Sequence, residues 1–470
     1  METKRNSFSS SLGFVLAAAG SAVGLGNIWR FPILAAKDGG GLFLAVYIVL
    51  AFTFGFTMLV SEVAIGRKTK QSALTAYGKL HKRSGWIGIF ASAVPFLIMP
   101  YYCTIGGWVL KYCVVFITGK GTEAAAVTSA ADGSSVTFFD TFITGNYEPI
   151  IYNVIFLIAV AVIIFFGVNK GIESFSKILM PILLVFVIAI SIFSLTIQGS
   201  DGRTGLDGLK IYIIPSLEGK SFGDILTVIL DAMGQLFYSI SVAMGIMVTY
   251  GSYFKDDSNL MKSVNRIEIF DTIVAFLAGI MIIPAVYAFL GTEGLSKPGP
   301  GLMFVALPKV FAAMGPIGNY VGAAFFIMVL FAALTSAMSI LETVVAGIID
   351  RFGIPRSKAV IYESVIALVI GVFICLGYNV FFFSIPLPNG SNAQLLDIFD
   401  YISNNILMPV VAIGTCILIG WIVKPKTVID EATKNGEKFF RKGLYAVMIK
   451  FIAPVLLLIL LLVSLGIIPI

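Results

Sequence analysis

The sequence predicts an all-α polytopic membrane protein of about eleven transmembrane helices, and three observations predict it. Apolar residues fill 58% of the 470 positions and charged ones 12%, with a mean hydropathy of +0.96. A soluble chain carries about twice that share of charge. Apolar runs of about twenty residues, enough to cross a bilayer, recur along the whole length. Lysine and arginine gather between alternate pairs of those runs.

By apolar length and polar punctuation the spans fall at 11–37, 41–67, 86–118, 149–168, 174–198, 224–254, 262–291, 319–350, 358–379, 394–423 and 443–467. Basic clusters at Lys4-Arg5, Arg67-Lys68-Lys70, Lys79–Arg83, Lys170–Lys177, Lys255–Arg266, Arg351–Lys358 and Lys424–Lys442 separate them in pairs. The positive-inside rule puts these clusters and the N-terminus in the cytoplasm. Eleven spans then put the C-terminus outside a cell-membrane protein. The same bias explains the net charge of +6 without nucleic acid, since no aromatic interleaving or basic domain accompanies it. A secretory signal ending at Ala17-Ala18-Ala19 is a poorer reading, because the apolar segment continues through Phe31. Gly119–Glu148 and Gly199–Lys220 read as surface loops, and Pro298–Pro316 as a short amphipathic helix folded back as an outer lid. Cys103, Cys113, Cys375 and Cys416 lie in apolar segments without metal-ligand spacing and read as packing residues. His81 sits in a basic loop and reads as solvated.

The first span is interrupted by Gly20-Ser-Ala-Val-Gly-Leu-Gly-Asn-Ile-Trp-Arg-Phe-Pro32. An unpartnered amide in hydrocarbon costs several kcal/mol, so unwound chain at that depth persists only where another group satisfies it. Gly20–Gly26 therefore reads as a broken helix whose carbonyls and amides hold an ion and a polar solute. Gly20-x-x-x-Gly24 also fits a helix-packing motif, which leaves Asn27 and Arg30 unexplained. Gly24-x-Gly26 opens a dinucleotide fingerprint that fails at Trp29. Span six repeats the anomaly, mixing Gln235, Ser239, Ser241 and Gly245 into apolar sequence. Two interrupted helices five spans apart point to an inverted-repeat transporter, with 11–198 and 224–423 as its halves and 443–467 as a peripheral helix.

Arg30, Glu62, Asp231, Asp271, Glu342 and Asp400 fall within spans. A lipid-facing charge there costs a few kcal/mol or more, so each should face the bundle interior or water. A buried structural network and an ion path both fit any one of them. Thr335 and Ser336 offer adjacent hydroxyls to a hard monovalent cation, although such residues often bond back to their own helix. The sequence holds no Gly-x-x-x-x-Gly-Lys-Ser/Thr motif and no evident nucleophile–base pair, which excludes a nucleotide-driven motor of that type and points away from an enzyme.

Gly20–Pro32 followed by Asp38-Gly-Gly-Gly-Leu-Phe43 resembles the first-helix signature of the neurotransmitter:sodium symporters, in their bacterial amino-acid transporter branch. The resemblance continues in order through Glu62–Arg67, Tyr101-Tyr102, Asp231–Gly245, Gly299–Pro308 and Ala332–Ser336. It implies a transporter in a lipid bilayer that takes an amino acid together with sodium as co-substrate, and needs no cofactor. By this resemblance one sodium would use carbonyls of Gly20 and Val23 with Ala332, Thr335 and Ser336. The other would use Ala22, Asn27, Ser239 and Asp271 with the substrate carboxylate. That carboxylate would meet the Leu25 and Gly26 amides and the Tyr102 hydroxyl, and a half-helix N-terminus favours an anion. Ala22, Ile98, Tyr238, Ser239, Ser241, Met244, Ser336, Ser339 and Ile340 would complete the substrate wall. Arg30 and Asp400 would close an outer gate above Tyr102 and Tyr238, and Arg5 and Asp350 an inner one.

Two positions depart from relatives. Asp271 stands where a bacterial leucine transporter of the family has Asn. Chloride-dependent relatives hold chloride near positions matching Tyr47, Gln235 and Ser239, and a fixed carboxylate can supply the same negative charge. Chloride-independent transport is therefore expected. Gly24 stands where monoamine transporters carry Asp, which leaves room for a substrate with its own carboxylate. The expectation is inward symport of a neutral, apolar or aromatic L-amino acid by alternating access. Proton coupling through Glu62 or Asp271, and a non-transporting sensor or channel of the same fold, are the alternatives; no selectivity-filter motif favours a channel. Relatives often have twelve spans, so with eleven both monomer and dimer stay open.

Overall fold

The computed structural model describes residues 7–129, 135–199, 201–217, 220–295 and 299–468. Its principal helices are α1 (Ser11–Ala22), α2 (Gly26–Lys37), α3 (Gly41–Thr69), α4 (Lys82–Ile117), α5 (Glu148–Phe165), α6 (Val168–Leu195), α7 (Gly205–Ile213) and α8 (Phe222–Ser239). There follow α9 (Ile246–Ser252), α10 (Leu260–Leu295), α11 (Leu302–Ala313), α12 (Pro316–Phe352), α13 (Arg356–Leu376), α14 (Leu395–Ile422), α15 (Lys426–Ala432) and α16 (Lys442–Ser464). Nine of these helices are long and apolar enough to cross a membrane, and α1 with α2 makes a further span bent by 53°. Where a sixth span is expected stand α8 and α9, separated by six non-helical residues, 240–245. Apolar residues are buried along the lines where helices meet, and exposed Ile, Val and Phe cover the outer faces of α5, α6 and α13. In a bilayer such faces meet acyl chains.

The two breaks differ in construction. At the first, the Val23 N–H still bonds the Ala19 carbonyl at 2.7 Å while its own backbone turns extended (φ −78°, ψ 90°). The chain regains helix by Gly26, starting with a π-turn that runs without a break into the α-helical part, and Pro32 lies where the one passes into the other. At the second, Ser241, Ala243 and Gly245 all take positive φ, at 54°, 61° and 73°. For the two residues with a Cβ this costs roughly 1 kcal/mol or more each. The Ala243 N–H is received by Glu62 Oε1 of α3 at 2.6 Å.

Four expectations need correction. Gly199–Lys220 is more than a surface loop: the Thr204/Asp207 capping box starts α7, whose Tyr212 is fully buried and donates to the Phe276 carbonyl at 3.1 Å. Within Gly119–Glu148, strands Val127–Ser129 and Ser135–Thr137 pair antiparallel and helix Phe138–Ile143 follows, its Phe139 stacked on Phe304. The lid helix α11 is apolar rather than amphipathic, with Met303, Phe304, Leu307 and Phe311 buried, because it packs under aromatic side chains rather than lying at a water interface. Arg67 does more than add to the orienting charge of its basic cluster. It is buried beneath α15, its Nε donating to Glu431 Oε1 at 2.8 Å and its guanidinium to the Ser258 and Glu431 carbonyls. All four cysteines are buried free thiols.

Candidate ion and substrate site

The first break places its polar groups against α8, α10 and α12. On one side Asn27 Nδ2 donates to Asp271 Oδ1 at 2.9 Å, and Ser239 Oγ reaches Asp271 Oδ1 at 2.7 Å and Asn27 Oδ1 at 3.1 Å. The Tyr47 hydroxyl lies 3.4 Å from Asp271 Oδ2, and Gln235 Nε2 donates to the Gly26 carbonyl at 3.1 Å while its Oε1 has no partner among the described residues. Asn27, Ser239, Gln235 and Asp271 are all fully buried. A carboxylate held only by neutral donors in such a place fits a bound cation, which would balance its charge.

On the other side Ser336 Oγ bonds the carbonyls of Gly20 at 3.3 Å and Ser21 at 3.1 Å, and a Cβ on Gly20 would lie 3.1 Å from the Thr335 Cβ. Thr335 also bonds back to Phe331 and Ala332 carbonyls of its own helix. Gly20, Thr335 and Ser336 are thus brought together as expected, with Val23 and Ala332 buried beside them in the sequence. Carbonyl and hydroxyl oxygens are the donor set that a hard monovalent ion takes.

Between the two lies a small cavity of about 20 Å³, with Ala22, Gly24, Gly26, Asn27, Ile98, Tyr102, Tyr238, Ser241, Met244, Ser336 and Ile340 in its wall. The Tyr102 hydroxyl is buried there without a hydrogen-bond partner among the described residues. A Cβ on Gly24 would come within 2.7 Å of Ser336 Oγ, so the space depends on that glycine. Sequence reasoning missed Ser21 and Ile246, both in the wall; their only signal was adjacency to the glycines at each break. Leu25 keeps its side chain out of the cavity lining, and its backbone lies beside the Tyr102 hydroxyl. Two expected substrate residues stand elsewhere. Ser239 belongs to the Asp271 cluster. Ser339 is engaged below, receiving the Tyr250 hydroxyl at 2.7 Å and donating to the Thr335 carbonyl.

The expected outer gate is not closed by an ion pair. Asp400 Oδ1 receives Tyr101 Oη at 3.1 Å and Asn404 Nδ2 at 2.6 Å, and among the described residues no Arg30–Asp400 contact falls within ion-pair distance. Arg30 instead lines a second cavity with Asp231, Asn404 and Tyr238, so Tyr238 borders both chambers. At the opposite end Asp350 Oδ2 receives the Ser72 amide at 2.6 Å, while Arg5 lies outside the described residues. Two further intramembrane acids have structural partners: Glu342 is held by Tyr253 Oη at 2.7 Å and by the Arg356 guanidinium, and Asp231 by Lys37 at 2.8 Å.

The profile of the "Sodium:neurotransmitter symporter family" matches residues 5–125 and 145–469. The chain belongs to that family. An "Uncharacterized sodium-dependent transporter YhdH" of Bacillus subtilis is 33% identical over 475 residues, 99% of each chain. The crystal structure of MhsT in complex with L-phenylalanine is 36% identical, with a TM-score of 0.84 over 98% of this chain and 100% of that one. The rat sodium- and chloride-dependent taurine transporter is 26% identical, across 91% of this chain and 73% of its own. As a sodium:neurotransmitter symporter the protein is a multi-pass membrane transporter dependent on sodium, not an enzyme.

Proposed function

We propose that this chain carries a neutral, apolar or aromatic L-amino acid into the cell together with sodium, by alternating access and without need of chloride. The observation that carries the reading is the Asn27–Ser239–Asp271 cluster abutting a cavity whose floor is the first helix break. Asp271 would supply the fixed negative charge beside sodium, and the substrate carboxylate would approach the α2 N-terminus and the unpartnered Tyr102 hydroxyl. Ala22, Asn27, Ser239 and Asp271 would hold that sodium, and Gly20, Val23, Ala332, Thr335 and Ser336 a second. Because the substrate would itself be a sodium ligand, each raises the other's affinity. Ile98, Met244 and Ile340 favour an apolar side chain, with methionine adaptable. L-Phenylalanine, present in the 36%-identical MhsT structure, is the first substrate to test.

In this reading 11–198 and 224–423 form the two inverted repeats and 443–467 a peripheral helix, with the N-terminus cytoplasmic and the C-terminus outside. The decisive experiment is uptake of labelled L-phenylalanine and L-leucine into proteoliposomes with only a sodium gradient imposed. Accumulation that persists when gluconate replaces chloride, and that dopamine-like amines do not inhibit, is the expected result. Uptake driven by a proton gradient alone, or collapse without chloride, would overturn it.

A further inference from the structure

The Asp38-Gly-Gly-Gly run is not used by the substrate site, yet the Asp38 side chain is 4% exposed and its Oδ2 has no hydrogen-bond partner among the described residues. Asp38 caps the C-terminus of α2, its N–H bonding the Leu34 carbonyl at 2.8 Å. A negative charge is disfavoured at that end of a helix. One lysine serves two acids here: Lys37 Nζ lies 2.8 Å from Asp231 Oδ2 of α8 but 3.8 Å from Asp38 Oδ1. Behind the site, Gly39 and Gly40 take positive φ, and strap the turn to the segment after α7 through the Ser216 amide and the Gly40–Pro215 bridge. Any Cβ on Gly39 would meet the Ser216 carbonyl at 2.6 Å and Lys220 Cε at 3.0 Å. The charged groups around Asp38 are therefore Lys37 from its own helix, Asp231 from α8 and Lys220 from the connection before α8, with Arg30 one step further along α2 acting on Lys37.

We infer that Asp38 and Asp231, bridged by Lys37, form a proton-binding site at the mouth of the transporter, separate from the substrate and sodium sites, where the proton resides on Asp38. With Asp38 ionised the trio carries one net negative charge; with the proton bound it carries none. Burial first, then the neighbouring Asp231 carboxylate, push the Asp38 carboxyl up to about 7, against the pull of Lys37 and Lys220. When the proton leaves, Asp38 competes with Asp231 for Lys37. That ion pair ties α2 to α8, the second half of one broken span to the first half of the other. Ambient pH on that face thereby sets how firmly the two half-helices are joined.

The test needs no substrate and so is independent of the transport reading. Infrared difference spectra of the full-length protein in lipid nanodiscs, titrated between about pH 8 and about pH 6, should show a carboxylic-acid C=O band growing in with a midpoint near 7. Asp38→Asn should lose that band, and Asp231→Asn should keep it but move its midpoint to lower pH. A band unchanged in Asp38→Asn assigns the proton elsewhere and overturns the inference. A midpoint unmoved in Asp231→Asn overturns the pairing, and decides the matter alone should Asp38→Asn fail to fold.

Discussion

The two broken spans solve one problem in opposite ways. The first break uses no left-handed residue and leaves its groups free for a site: the Gly20 and Ser21 carbonyls face Ser336, the Gly26 carbonyl faces Gln235, and Asn27 faces Asp271. The second break bends through three positive-φ residues and is pinned by a buried acid, Glu62, at Ala243. Its Ser241 hydroxyl is turned to the Ser21 carbonyl of the first at 3.0 Å. One break is relaxed and offers its groups outward; the other is strained and is held from behind. A strained backbone persists only where its surroundings over-determine it, so the two should respond differently to substitution.

The largest expected effect is at the pin. Glu62→Ala leaves the Ala243 N–H buried without an acceptor, costing about 1–3 kcal/mol in thermal stability, whereas Glu62→Gln keeps an acceptor and should lie close to wild type. Equal stabilities for the two variants would remove the contrast between the breaks. Next comes Asp271→Asn, which keeps the shape of the relaxed site but removes its charge. Sodium affinity and substrate affinity should fall together, sodium by at least tenfold, or about 1.4 kcal/mol, in flux or scintillation-proximity measurements. A loss confined to maximal rate would mean that cation and substrate do not share the site. Gly24→Ala should weaken substrate binding several-fold, about 1 kcal/mol, while its folding temperature stays close to wild type, because the added methyl intrudes on Ser336 rather than on backbone. Smaller still, Ala243→Gly should relieve the left-handed strain and raise stability by up to about 1 kcal/mol; the same change at Ala22, in the regular turn before the first break, should lower it.

The proton site gives the finest discrimination, through the sign of a pH dependence. Asp38 has a folded-state pKa raised to about 7 from an ordinary 3.8, so its contribution to stability is fully present at low pH and lost as pH rises through about 7. Wild type should therefore melt progressively lower than Asp38→Asn as pH rises from about 4 to about 7, with the gap constant above that, and the two should converge toward the acid end.

Much of this was legible in the sequence because glycine, asparagine and serine have no ordinary business together in hydrocarbon. The run from Gly20 to Asn27 announces its break, and Gln235 to Gly245 the second, by composition alone. What stayed hidden depended on partners far away in sequence. Arg67 looked like one more cytoplasmic charge because its acceptor, Glu431, lies 364 residues on. Glu62 was an intramembrane acid of open purpose until Ala243 was placed against it. The α7 helix was masked by short, polar flanks, although Thr204-x-x-Asp207 is a cap that a closer reading of the loop would have found. Asp400 was paired in expectation with Arg30, whereas Tyr101, 299 residues away, and Asn404, one helical turn on, hold its carboxylate.

The four buried thiols carry a practical consequence. Reagents such as maleimides act on exposed thiolates, and burial in apolar surroundings keeps native cysteines unreactive. A single cysteine introduced at the mouth, on the α8 side and on the α2 side in turn, can thus be tagged with a dye or spin label in an otherwise native background. Distances across the Lys37–Asp231 tie then become measurable in working protein, without first stripping it of its own sulfur.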